Sequence, residues 1–129
     1  MSDAIQGRPV AFLYVPDLDA ALAFYESRLG LKLLERDPFG LFLEFGTALL
    51  RVTPMEGFLG GPHPVLGWDV ADIAATVDRL SGAGVAFKIY DGMGQDARGI
   101  WAAPGGGAKI AWFEDPFGNL LSLSETGNG

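Results

Sequence analysis

One histidine, no cysteine and sixteen carboxylates bound the chemistry open to this 129-residue chain. Without cysteine there is no disulfide, no thiolate metal site and no cysteine nucleophile. His63 stands between Pro62 and Pro64, and its nearest companions for a metal are Glu44, Asp69 and Glu125, which read equally well as solvated charges at strand ends. Ser122 and Ser124 alternate in "NLLSLSE", but no histidine base comes within reach of either along the sequence, so they do not compose a nucleophilic triad. "DGMGQDARG" and "APGGGAK" are rich in glycine yet lack both G-x-G-x-x-G after a strand and the P-loop spacing with its Ser/Thr. They read as a mobile loop able to close over a site. Trp101 and Trp112, on either side of "APGGGAK", offer indole surfaces on which a planar ligand could stack.

The elements that must position these residues are legible in pattern. "VAFLYV", flanked by Pro9 and Pro16, is a strand, and Asp17 then caps a helix with apolar positions at Leu18, Ala21, Leu22, Tyr25 and Leu29 that stops at Gly30. Three strand-like runs follow, "LKLLER", "LFLEF" and "ALLRVT", before the Gly/Pro-rich connector "PMEGFLGGPHP". "VLGWDVADIAATVDRLSGAG" repeats the first strand and helix, with Asp72 in the place of Asp17, an offset of 72 − 17 = 55 residues. "VAFKIY", "KIAWFED" and "NLLSLSE" complete a second set of strands. The tetrapeptide "DPFG" occurs at 37 and again at 115, an offset of 115 − 37 = 78 residues that does not match the repeat. Its copies are one turn solution used at two non-equivalent places, and the true counterpart of Phe117-Gly118 is Phe45-Gly46. The mismatch at that offset, 72 − 55 = 17, locates an insertion of about 17 residues in the loop "DGMGQDARGIWAAPGGGAK", which carries both glycine-rich runs.

Bulk properties restrict the partners. A formal charge of −7 and the lack of any Lys/Arg run argue against nucleic acid and anionic membranes. No apolar run approaches the ~20 residues of a membrane span, and the N-terminus has no signal-peptide core. The expectation is a soluble cytoplasmic protein. At 49% hydrophobic and 19% charged residues, the composition is that of a globular domain.

Two tandem βαβββ units, opened by "VPDLDAALAFYESRLGLKLL" and closed by "DPFGNLLSL", resemble the vicinal oxygen chelate superfamily, the glyoxalase, bleomycin resistance protein and dioxygenase group. "LLRVTP", "LGWDV" and "GIWAAPGGGAKIAWFEDPFGNLLSLSE" are similar to a subgroup of its small bacterial members. The resemblance implies an α+β fold over 1–129: a module over about 8–54, a linker over about 55–62 and a second module over about 63–126, their curled mixed sheet forming a cup with helices outside. It also implies four cup-facing positions from which metal-binding members hold a divalent ion. These fall on Val10, Arg51, Val65 and Ser122, a set that cannot hold one, so the expectation is a cup with no metal and no cofactor.

From that alignment, strand alternation assigns the rest of the lining: Phe12 and Tyr14 beside Val10, Gly67 and Asp69 beside Val65, Leu49 and Thr53 beside Arg51. The ligand-binding set is then Phe12, Tyr14, Arg51, Asp69, Trp101, Trp112 and Ser122. Arg51 must meet either an internal acid, Asp69 or Glu44, or an anionic ligand. The reading that follows is a metal-independent protein that binds a small, anionic or aromatic molecule and forms a homodimer, as members of the superfamily often do. The alternatives are a metalloenzyme with non-standard ligands, His63 among them, and a metal-free lyase or isomerase that uses Arg51.

Overall fold

The computed structural model of the chain describes residues 4–127. Two compact units divide at Phe58/Leu59, inside the Gly/Pro-rich connector. The first contains β1 (Val10–Val15), α1 (Leu18–Leu22) continued by a π-helical segment (Ala23–Arg28), β2 (Leu33–Asp37), β3 (Gly40–Phe45) and β4 (Ala48–Pro54). The second contains β5 (Pro64–Asp69), α2 (Ile73–Gly82), β6 (Trp101–Ala102), β7 (Lys109–Glu114) and β8 (Leu120–Glu125). Each is a βαβββ module with one four-stranded mixed sheet, in the orders β1-β4-β3-β2 and β5-β8-β7-β6. The first strand of each lies parallel to the last, and the other pairs are antiparallel. The chain is thus α+β with two repeats, as the sequence implies. Among the described residues no helix is long and apolar enough to cross a membrane.

Both helices begin as the sequence predicts. The Asp17 carboxylate accepts the Ala20 N–H at 3.1 Å and that of Asp72 accepts the Ala75 N–H at 3.0 Å, so each aspartate satisfies an amide that has no partner within its helix. The ends differ. Gly84, at φ +94°, closes α2 with the Val85 N–H on the Leu80 carbonyl, whereas in the first unit the widened π turn sends the Leu31 N–H back to Tyr25.

Alternation along the strands separates two faces in each unit. In unit 1, Leu13, Val15, Leu41, Leu43, Leu50 and Val52 lie beneath the helix with Ala21, Phe24 and Tyr25, all nearly or fully buried. In unit 2, Leu66, Ala111, Phe113, Leu121 and Leu123 do the same under Ile73, Val77 and Leu80. Removing these side chains from water is the main driving force for each unit, and it fixes the register, because a slip of one residue would expose the whole set. The other face of each sheet carries the candidate functional side chains.

The two "DPFG" turns share their chemistry and differ in place, as expected. Asp37 accepts the Phe39 N–H at 2.8 Å between β2 and β3; Asp115 accepts the Phe117 N–H at 2.9 Å between β7 and β8. The second copy goes further. Asp115 and Asn119 are buried, and the Asn119 backbone and side-chain amides both donate to the Asp115 carboxylate.

"VAFKIY" departs from its expected form. It makes only one bridge, Phe87 to Phe113, with the Lys88 N–H on the Trp112 carbonyl. The rest of that edge is β6, paired through Trp101 to Ile110 and Ala102 to Lys109. The inserted residues therefore leave and rejoin in the middle of one edge strand, so "VAFKIY" is the first foot of the excursion rather than a full strand.

Candidate functional site

In unit 1 the register sets Arg51 between two aromatic residues: Phe12 is its partner on β1 and Phe42 its partner on β3. Side chains of paired residues share a face, so the three project together. The guanidinium carbon lies 5.2 Å from the centre of the Phe42 ring, within range of a cation–π attraction. Phe12, Tyr14 and Val10 are exposed on the same face, Phe12 by 58%, and Phe58 from the connector tilts against Tyr14 at 6.1 Å. Glu44 shares this face opposite Leu49, but Arg51 makes no ion pair among the described residues. A half-buried cation beside apolar rings is left with donors directed at solvent or at a ligand.

In unit 2 the corresponding face holds Gly67, Ser122 and Trp112 in one row across β5, β8 and β7. Gly67 makes room for the serine: a Cβ there would stand 2.6 Å from the Ser122 Oγ. Trp101, opposite Ile110, tilts against Trp112 with ring centres 6.3 Å apart, and Tyr90 meets Trp112 edge-on at 5.8 Å. The three rings make a continuous aromatic surface, one ring from β7 and one from each side of the inserted loop.

That loop, read from its glycines as a mobile lid, carries side-chain hydrogen bonds at both of its feet. The Gln95 side chain accepts the Tyr90 N–H at 2.7 Å and donates to the carbonyls of Lys88 at 3.0 Å and Gly99 at 2.6 Å, joining the two feet of the excursion. Asp96 accepts the Arg98 and Ile100 amides, and Arg98 forms a two-pronged ion pair with Asp78 on α2, at 2.8 and 3.1 Å. These contacts hold the two feet from which Tyr90 and Trp101 reach Trp112.

Asp69 is hydrogen-bonded at the end of the parallel pair. Its carboxylate accepts the Thr126 hydroxyl at 2.8 Å, the Thr126 N–H at 3.2 Å and the Ser124 hydroxyl at 2.9 Å. The Thr126 hydroxyl, helped by Ser124, holds its pKa below the ordinary carboxylate value. His63 lies exposed in the bend before β5, and a bulge between Pro64 and Leu66 breaks the alternation that would have put it on the face of Val65. Among the described residues no three His, Asp or Glu side chains gather as a metal site.

The four positions at which the family resemblance puts metal ligands can be tested by their chemistry. Val10 and Arg51 lie on the open face of unit 1; Val65, at the bulge of β5, and Ser122 belong to unit 2. Valine has no donor atom, a guanidinium repels a cation, and one neutral hydroxyl remains. This set does not fit a divalent ion.

Sequence reasoning missed Phe42, Tyr90 and Gln95. Phe42 was recoverable: the two-residue Gly46-Thr47 turn pairs Phe45 with Ala48, and the count then brings Phe42 to Arg51. Tyr90 and Gln95 act through the path of an irregular loop, for which no periodic signal exists.

Comparison with known proteins agrees with this architecture. No curated protein sequence matches the chain. Among solved structures, a glyoxalase family protein from Bacillus anthracis is similar at 20% identity and TM-score 0.73, over 98% of this chain and 99% of that one. A lactoylglutathione lyase from Agrobacterium tumefaciens is similar at 19% identity and TM-score 0.71, over 95% and 96% of the two chains. TioX from Micromonospora sp. ML1 follows at 18% identity and TM-score 0.69, over 93% and 98%. At such identities these likenesses speak for the fold alone. The family model that describes the glyoxalase/bleomycin resistance protein/dioxygenase superfamily matches residues 7–123, nearly the whole chain, and the protein belongs to that superfamily.

Proposed function

We propose that this protein binds a small anionic or aromatic molecule without a metal ion. The observation that carries the reading is Arg51, seated over Phe42 on an exposed apolar face with no ion pair among the described residues. Apolar walls supply burial and a fixed cation sets orientation, which is the composition of a small-molecule site. Trp101 and Trp112 in unit 2 offer stacking surfaces for a planar group, and the Ser122 hydroxyl between Trp112 and Gly67 offers a hydrogen bond. Metal independence rests on the donor chemistry of Val10, Arg51, Val65 and Ser122. Tyr14 and Phe12 belong to the ligand surface, whereas the hydrogen bonds of Asp69 favour a structural role for its carboxylate.

One functional domain of two modules, a homodimeric assembly and a cytoplasmic setting complete the proposal, the assembly by analogy with the superfamily and the setting from the absence of cysteine. The test is elemental analysis of protein purified without chelator, together with titration of an aromatic carboxylate. Far less than one divalent ion per chain and saturable binding are expected. About one tightly held ion per chain, released only with loss of binding, would overturn the reading.

A further inference from the structure

A pocket of about 360 Å³ lies wholly within unit 2, where the connector passes the turn between β7 and β8. Its walls are Lys88, Tyr90, Glu114, Gly118, Leu120 and the stretch Gly60-Gly61-Pro62 of the connector. Two opposite charges stand side by side at its rim: the Lys88 ammonium is 3.4 Å from the Glu114 carboxylate and 5.9 Å from the centre of the Tyr90 ring. Both remain accessible, at 36% and 42% exposure, while Leu120 is nearly buried.

The backbone behind each wall is fixed. The Lys88 N–H donates to the Trp112 carbonyl at 2.8 Å, and Gln95 binds the Lys88 carbonyl and the Tyr90 N–H on either side of Ile89. Glu114 is held in β7, opposite Leu120 on β8. The connector is fastened by the Gly60 N–H on the Phe117 carbonyl at 3.0 Å. The charge pair therefore stands on three anchored segments, and a ligand would meet it in place.

We propose that this pocket binds a small zwitterion of the α-amino-acid class with an apolar side chain. A plain anion drawn to Lys88 would face the Glu114 carboxylate, and a plain cation drawn to Glu114 would face the ammonium. A molecule with a carboxylate and an ammonium on one carbon matches both, since it exchanges one exposed ion pair for two. Leu120, Pro62 and the Tyr90 ring then receive an apolar side chain, and the volume, near the lower end for ligand pockets, suits a small molecule.

The test is calorimetric titration of the intact chain with L-leucine, N-acetyl-L-leucine and L-leucinamide. Leucine should bind saturably, and each blocked analogue, lacking one charge, should bind at least tenfold more weakly. K88Q and E114Q should each weaken leucine binding at least tenfold while melting like the wild type. Equal binding of leucine and N-acetyl-leucine, or no saturable leucine binding in the millimolar range, would overturn the proposal. An aromatic carboxylate that still binds in that case leaves the reading of Arg51 standing, so the two can fail independently.

Discussion

Arg51 and Asp69, the two charged residues of the expected ligand-binding set, have different surroundings. Among the described residues the Arg51 guanidinium rests on Phe42 without an ion pair, whereas Asp69 is occupied by Thr126 and Ser124 at the strand end. A sequence marks both as polar residues on an open strand face; it does not show that Thr126 returns to Asp69. The consequence for Asp69 is a pH-dependent contribution to stability. Its folded-state pKa is depressed, chiefly by the Thr126 hydroxyl, so the stabilisation is complete above the unfolded value of about 3.9 and is lost as pH falls through the folded value. Wild type should exceed Asp69→Asn in urea unfolding at neutral pH, and the difference should shrink below about pH 4. A difference that is constant through that range would show that the hydrogen bonds do not favour the ionised form.

At the scale of elements, the regular pieces were readable and the irregular ones were not. Caps at Asp17 and Asp72, core alternation in β1, β4 and β8, and the non-equivalence of the "DPFG" turns all follow from spacing, because helix and strand periods are properties of neighbouring residues. The path of the inserted loop depends on Gln95 reaching both of its feet, and the bulge that displaces His63 depends on the pairing of β5 with β8. Those are long-range facts, for which glycine content gives no signal. The connector gives a sharp test of such close packing. A Cβ on Gly60 would fall 2.1 Å from the backbone of Gly118, which cannot move aside as a side chain can, while one on Gly61 meets nothing within 4 Å. Gly60→Ala should lower unfolding free energy by roughly 2–3 kcal/mol, and Gly61→Ala by less than about 0.5 kcal/mol. Equal effects would mean that the connector does not lie on the β7–β8 turn in solution.

For the molecule as a whole, duplication explains why so much was legible. Two modules with the same strand order carry the same alternation twice, and each copy checks the register of the other. Duplication also makes the chemical divergence plain: one open face presents a cation among rings, the other a row of indoles beside a serine, and among the described residues no three His, Asp or Glu side chains gather on either. The central claim is that Arg51 anchors an anionic ligand and that no metal takes part. Titration of an aromatic carboxylate in the presence of a strong chelator, with wild type and Arg51→Gln side by side, tests it most directly. Losing a charged hydrogen bond worth about 1.5–3 kcal/mol should weaken binding roughly 10- to 100-fold in the variant, with wild-type affinity unchanged by the chelator. Binding that disappears with chelator, or that is the same in both proteins, would contradict the account.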